Sequence, residues 1–143
     1  PHFKLEFTPS VGEEIQTEFF VDRRDAAAAL EEIMKLSEEI NPLLWITELR
    51  TIAADELWLS GAYQRDTLGI HFTWKKEAAI YSVIEKVEAA LRPFNYRPHL
   101  GKVFSASPEY LASVMPKMED FKNLVNEIDP VNKFGNVFTD KLL

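Results

Sequence analysis

Hydrophobic and polar positions change period several times along the chain. Phe3, Leu5 and Phe7 alternate with Lys4 and Glu6, Pro9-Ser10-Val11-Gly12 breaks the run, and a second β-rich run covers residues 15–21. A period of two puts successive side chains on opposite faces of a strand, so these runs read as a hairpin-like pair. Asp22 or Asp25 is placed to cap a helix whose apolar positions Leu30, Ile33, Met34 and Ile40 follow helical spacing, and Asn41-Pro42 should end it. The period returns to two over residues 43–52 and again over 67–74, which predicts a third and a fourth strand. Between them lie residues 55–65, with Gly61 as a turn element. Ile80, Val83, Ile84, Val87 and Leu91 then trace an amphipathic helix that stops where Pro93 removes a backbone donor.

After Pro93 the character changes. Asn95-Tyr96-Arg97-Pro98-His99-Leu100-Gly101-Lys102 has no hydrophobic period but concentrates rings, cations and turn formers, which marks a site candidate. Helical patterning resumes at Ser107-Pro108-Glu109. Phe121, Leu124, Val125 and Ile128 mark a further helix, with Glu119 and Asp120 near its start, and Asp129-Pro130 ends it. Residues 133–143 read as a tail that packs on something. Two βα-type units in succession predict one α+β domain over residues 1–143: a mainly antiparallel or mixed sheet with helices packed on one face.

Composition narrows the function classes. With 143 residues, 46% hydrophobic, the chain is long enough to bury one sizeable core. No cysteine is present, which removes disulfides and thiolate metal sites; the three histidines, His2, His71 and His99, show no local ligand spacing, so no metal is expected. Redox chemistry would need a bound cofactor. Sixteen basic against 23 acidic residues give a net charge of −7, which disfavours nucleic acid. No apolar run approaches the roughly 20 residues that span a bilayer, and no secretory signal opens the chain, so a cytoplasmic protein is expected. The start at Pro1-His2-Phe3, without an initiator methionine, reads as that of a fragment, a processed mature start being the alternative.

Candidate chemistry lies on the predicted strands. Glu48 and Arg50 are two residues apart and share one face, with Trp45, Leu49 and Thr51 on the other; Gly69, His71 and Thr73 likewise share a face opposite Leu68, Ile70, Phe72 and Trp74. If the strands are neighbours, a carboxylate, a guanidinium, an imidazole and a hydroxyl crowd one patch of sheet, and Gly69 leaves room for a ligand to approach the backbone. Such a set suits a polyhydroxylated substrate. The bland alternative is a solvated sheet face with a structural histidine, and Lys102 as an ordinary loop lysine. The pairs Glu13-Glu14, Glu31-Glu32 and Glu38-Glu39 read as solvated surface. No nucleophile elbow, P-loop or dinucleotide fingerprint is present, and none of the five glycines is spaced to cradle a phosphate.

The run Thr47-Glu48-Leu49-Arg50-Thr51-Ile52-Ala53-Ala54-Asp55-Glu56-Leu57-Trp58-Leu59-Ser60 resembles a signature of alditol and xylitol oxidases. Arg65-Asp66-Thr67 leading into Ile70-His71-Phe72-Thr73-Trp74 continues the likeness, Arg97-Pro98-His99-Leu100-Gly101-Lys102 resembles the family's late active-site loop, and the segment from Asp129-Pro130 to Gly135-Asn136 its C-terminal part. The resemblance covers essentially the whole chain and extends to the vanillyl-alcohol oxidase type of flavoprotein, including D-arabinono-1,4-lactone oxidase. It implies a cap domain that builds the polyol pocket of an FAD enzyme. An N-terminal FAD-binding domain, with a histidine bonded to the flavin, would precede it in the same polypeptide, and the segment 93–143 would return to that domain. It further implies oxidation of a terminal hydroxyl of a xylitol- or sorbitol-like substrate, with dioxygen reduced to hydrogen peroxide.

By the same resemblance Lys102, His71 and Arg50 are the catalytic candidates, Glu48, Arg50 and Thr73 hold substrate, and Lys102 and His99 approach the cofactor. His71 would share in accepting the alcohol proton, and the isolated chain should be inactive. Leu100, where relatives carry an aromatic residue, and Gly61, where proline is common, depart from the pattern and bear on pocket width and loop rigidity. The competing reading is a free-standing α+β ligand-binding or dimerising module, pairing its exposed face in a two-fold dimer.

Overall fold

The structure, a computed structural model, describes residues 12–142. The expected strand over residues 3–7 and its hairpin lie outside the described residues. Four strands, β1 (Glu14–Asp22), β2 (Leu44–Ile52), β3 (Thr67–Lys75) and β4 (Arg97–Pro98), form one antiparallel sheet in the order β2-β3-β1-β4. Six helices accompany it among the described residues: α1 (Ala26–Met34), α2 (Ser37–Ile40), α3 (Ile80–Leu91), α4 (Pro108–Val114), α5 (Met118–Ile128) and α6 (Val137–Leu142). The architecture is α+β.

β3 occupies the middle of the sheet and is buried along nearly its whole length. Its Leu68, Ile70, Phe72 and Trp74 project to one side, with Phe19 and Val21 of β1, and meet Ala29 and Ile33 of α1 and the apolar stripe of α3. All five stripe positions of α3 are buried, each contributing roughly 1.5–3 kcal/mol by leaving water. Phe72 and Trp74 stack with ring centroids 5.0 Å apart, and Phe19 meets Tyr96 edge-on at 5.5 Å. The indole Nε1 of Trp74 donates to Thr17 Oγ1 at 3.0 Å, which satisfies both polar atoms inside the core.

Three expectations need correction. The single helix expected from a cap at Asp22 or Asp25 to Asn41-Pro42 is broken: Leu36 N bonds back to Ile33 O at 2.9 Å and a short second helix follows. Met34 is the misleading position, 70% exposed, while Ile33 and Ile40 turn into the core. The segment after Pro93 is not wholly irregular. Asn95, at φ 48°, ends a short 3-10 turn, and β4 then pairs with β1, too short to show a period of two. Residues 133–143 are not a plain tail, since Asp129 accepts from Lys133 N and Phe134 N at 2.8 and 2.9 Å and the chain re-enters a helix at Val137. Ser107 caps α4 by accepting from Tyr110 N at 3.3 Å, with Pro108 in the first turn. α5 forms where expected but buries only Met118; Ile128 of its apolar stripe is 71% exposed.

The loop from β2 to β3 is closed by Asp55, whose carboxylate accepts from Leu57 N at 2.9 Å and Ser60 Oγ at 2.6 Å. Gly61 lies flat on the Phe20 ring: a Cβ there would sit 2.1 Å from Phe20 Cδ2. Phe20 is buried and the clash falls on its ring, so Gly61→Ala should cost about 2 kcal/mol, read as a lowered melting temperature. Among the described residues no helix is long and apolar enough to cross a membrane.

Candidate active site

Strand register assembles a polar patch on the sheet face opposite the core. Glu18, His71 and Glu48 are partners across β1, β3 and β2; Gln16, Thr73 and Ile46 form the row on one side, and Phe20, Gly69 and Arg50 the row on the other. The expected neighbours β2 and β3 do pair, so Glu48, Arg50, His71 and Thr73 share this face. A bulge at Trp45 precedes the register that sets it.

Lys102 arrives from outside the sheet. Its segment runs along the free side of β1, with His99 N bonded to Glu18 O at 2.8 Å and Val103 N to Gln16 O at 3.0 Å. A turn through Gly101, closed by Lys102 N on His99 O at 3.0 Å, delivers the ammonium onto the face. Nζ lies 3.1 Å from Gln16 Oε1, 3.1 Å from His71 Nδ1 and 3.3 Å from Glu18 Oε2. The other imidazole nitrogen, Nε2, is 3.1 Å from Thr73 Oγ1. His99 stands apart: it is exposed, its Nδ1 accepts from Gly101 N at 3.1 Å, and its ring lies 6.1 Å from that of Phe20.

Glu18 is the hub, and it is absent from the candidates read from the sequence. One carboxylate oxygen accepts from Arg50 Nη1 at 3.0 Å; the other faces Lys102 and lies 3.6 Å from His71 Nδ1. Burial alone would raise its carboxyl, but His71, the charge and hydrogen bond of Lys102 and the bond from Arg50 outweigh it and lower it to about 2. Arg50 reaches on to Glu48 at 2.6 Å, so one guanidinium bridges two carboxylates.

The role expected of Gly69 is corrected here. A Cβ at that position would lie 3.3 Å from Glu18 Oε1 and 3.4 Å from both Ile52 and Phe20, so the missing side chain makes room for the Glu18–Arg50 pair rather than for a ligand at the backbone. The solvated-face alternative fits only the border: Glu48 and Arg50 keep 44% of their side chains exposed, while Glu18, His71 and Thr73 are buried. Both ring nitrogens of His71 are engaged within the chain, Nδ1 with Lys102 and Nε2 with Thr73. The signal for Glu18 was present in the sequence: Gln16 and Glu18 stand two apart in an apolar strand, as Glu48 and Arg50 do.

Arg97 belongs to the scaffold beside this face. Buried, it donates to Val114 O at 2.7 Å, Tyr63 O at 2.8 Å and Gly61 O at 3.3 Å, and burial lowers its guanidinium to about 10. Among the described residues no group of three or more His, Asp or Glu is placed to hold a metal ion.

The chain's likeness to known proteins points the same way. The sequence pattern of the D-arabinono-1,4-lactone oxidase family matches residues 11–142. The chain belongs to that family. An alditol oxidase from Streptomyces sp. (strain IKD472 / FERM P-14339) is 43% identical over 144 aligned positions, taking in 100% of this chain and 35% of the relative. An L-gulono-1,4-lactone dehydrogenase from Mycobacterium tuberculosis is 27% identical over 129 positions, 90% of this chain and 30% of the relative. The chain therefore spans about a third of the length of these relatives. Their names are those of an oxidase acting on alditols and a dehydrogenase acting on a lactone.

Proposed function

We propose that the chain is the substrate-shaping part of a longer FAD-dependent oxidase that converts a terminal hydroxyl of a xylitol- or sorbitol-like polyol to a carbonyl, with dioxygen reduced to hydrogen peroxide. The observation that carries this is the polar face itself: an open border of Glu48 and Arg50 running into the buried Glu18, His71, Thr73 and Lys102. Its charges are closed internally, two cations on two carboxylates, which suits an uncharged substrate rich in hydroxyls.

A flavin fits this face through its ring alone. Gly61 is covered by Phe20 and Gly69 by Glu18, so neither lets a pyrophosphate reach the backbone, and the rest of the cofactor belongs to another part of the polypeptide. Lys102, and His99 on the exposed turn beside it, are the groups of this chain toward the ring. When bound, FAD supplies the two-electron acceptor that takes hydride from the carbinol carbon and returns both electrons to dioxygen as hydrogen peroxide.

This chain's residues hold and orient. Glu48 and Arg50 grip hydroxyls along the polyol, Glu48 accepting and Arg50 donating, and Thr73 fixes the imidazole behind them. Lys102 sets its ammonium against the oxygen that loses its proton; as that proton is taken up at Nζ, another passes from Nζ across 3.1 Å to His71 Nδ1, which becomes the imidazolium. The segment 93–143 returns to the flavin-binding part, which would cover the exposed stripe of α5 and the apolar residues Val131, Phe134 and Val137.

The complete polypeptide, loaded with FAD, should bleach its flavin anaerobically with xylitol or sorbitol and release peroxide in air. Bleaching by L-gulono-1,4-lactone alone, without peroxide, would replace the polyol oxidase reading with a lactone dehydrogenase.

A further inference from the structure

We propose that Glu18 is the positioning residue of this face: its carboxylate, lodged between Arg50, His71 and Lys102, holds the Lys102 ammonium on His71 Nδ1 and so keeps the imidazole as the Nε2–H tautomer bonded to Thr73. The inference rests on reading this face as the reacting site, but its main readout does not depend on turnover.

An ammonium has three donors and no acceptor, so His71 Nδ1, 3.1 Å from Lys102 Nζ, must be the acceptor of that contact. The ring proton then sits on Nε2, where Thr73 Oγ1 at 3.1 Å receives it. The opposite tautomer would aim an N–H at the ammonium, with Glu18 Oε2, 3.6 Å from Nδ1, beyond hydrogen-bond reach, and leave Nε2 to be filled by the hydroxyl. What keeps the ammonium in place is charge. Of its three polar contacts, Gln16 Oε1 and His71 Nδ1 are neutral, and Glu18 Oε2 at 3.3 Å is the anion. Glu48 cannot take over, because Arg50 holds it at the exposed border.

The same carboxylate anchors both cations of the site. Its first oxygen fixes Arg50, its second Lys102, and Gly69 leaves the space through which Arg50 reaches it. A carboxylate this deeply buried would be costly unpaired, and its partners here are the groups that address the substrate. Glu18 itself is 5% exposed and meets substrate only through them. Replacing the charge by an amide leaves Arg50 and Lys102 without their shared anion. Lys102 then swings toward solvent, and His71 Nδ1 loses its donor.

The test uses the complete FAD-loaded polypeptide with 15N-labelled histidine, the His71 signals assigned by their loss in His71→Asn. Wild type at neutral pH should show an unprotonated Nδ1 and a protonated Nε2. Glu18→Gln should mix the tautomers and lower kcat with xylitol about 100-fold, the scale of a misplaced reacting group, while Glu18→Asp recovers part of both. A wild-type spectrum showing Nδ1–H or imidazolium overturns the inference with no variant needed, as does a folded Glu18→Gln with unchanged signature and kcat. If the wild type oxidises no polyol, the proposed function fails, and the tautomer of Glu18→Gln set against that of wild type still decides whether Glu18 sets the proton on His71.

Discussion

Lys102→Ala in the complete polypeptide is expected to lower the rate of flavin reduction by xylitol about 1,000-fold without loss of FAD, the scale seen when one preorganised donor is removed from a reacting oxygen. The lysine is held on three sides within 3.3 Å, so its ammonium is already in place before substrate arrives. Truncation removes the positive charge nearest the buried imidazole and leaves Glu18 with Arg50 as its one remaining full counter-charge. Anaerobic stopped-flow reduction separates this from a change in the oxygen step. A rate within a few-fold of wild type would mean that Lys102 supports the sheet face and does not address the hydroxyl.

Arg97→Met is expected to be the most damaging change away from the polar patch, lowering stability by about 4 kcal/mol. Arg97 ties together three stretches distant in sequence: β4, on which it sits, the loop at Gly61 and Tyr63, and the end of α4 at Val114. The methionine fills most of the volume but leaves three carbonyls without their donor inside the protein. Differential scanning calorimetry should show a drop of roughly 10 °C in the apparent melting temperature. A drop of only a degree or two would mean that water reaches those carbonyls and that the segment is not pinned from within.

The two arginines of the sheet, Arg50 and Arg97, show where sequence reading worked and where it stopped. Arg50 could be assigned to a face because it lies two residues from Glu48 in a run of clear period, and parity along a strand is a local property. Arg97 sat in a stretch without period, because β4 contributes two residues to the sheet; its three carbonyl partners come from positions 17 to 36 residues away and leave no local trace. Glu18 was missed for a related reason. Its strand was recognised, and its spacing from Gln16 marks a shared polar face, but the convergence of Arg50, His71 and Lys102 on its carboxylate comes from segments that spacing does not connect. Gly69 was noticed and misassigned, since local pattern shows that a side chain is missing and not what fills the gap.

Taken alone, the sequence determined the α+β class, strands over 43–52 and 67–74, the helix over 80–91, and the sharing of one face by Glu48 and Arg50 and by His71 and Thr73, together with the family resemblance carried by the run 47–60. These follow from periods of two and 3.6 residues and from side-chain chemistry, which are properties of neighbours in the chain. Tertiary structure decided the strand order β2-β3-β1-β4, the arrival of Lys102 on His71 and Glu18, and the filling of Gly69 by that carboxylate. Those depend on which segments, dozens of residues apart, bury the same surface, and burial against a distant partner is settled only when the chain has folded.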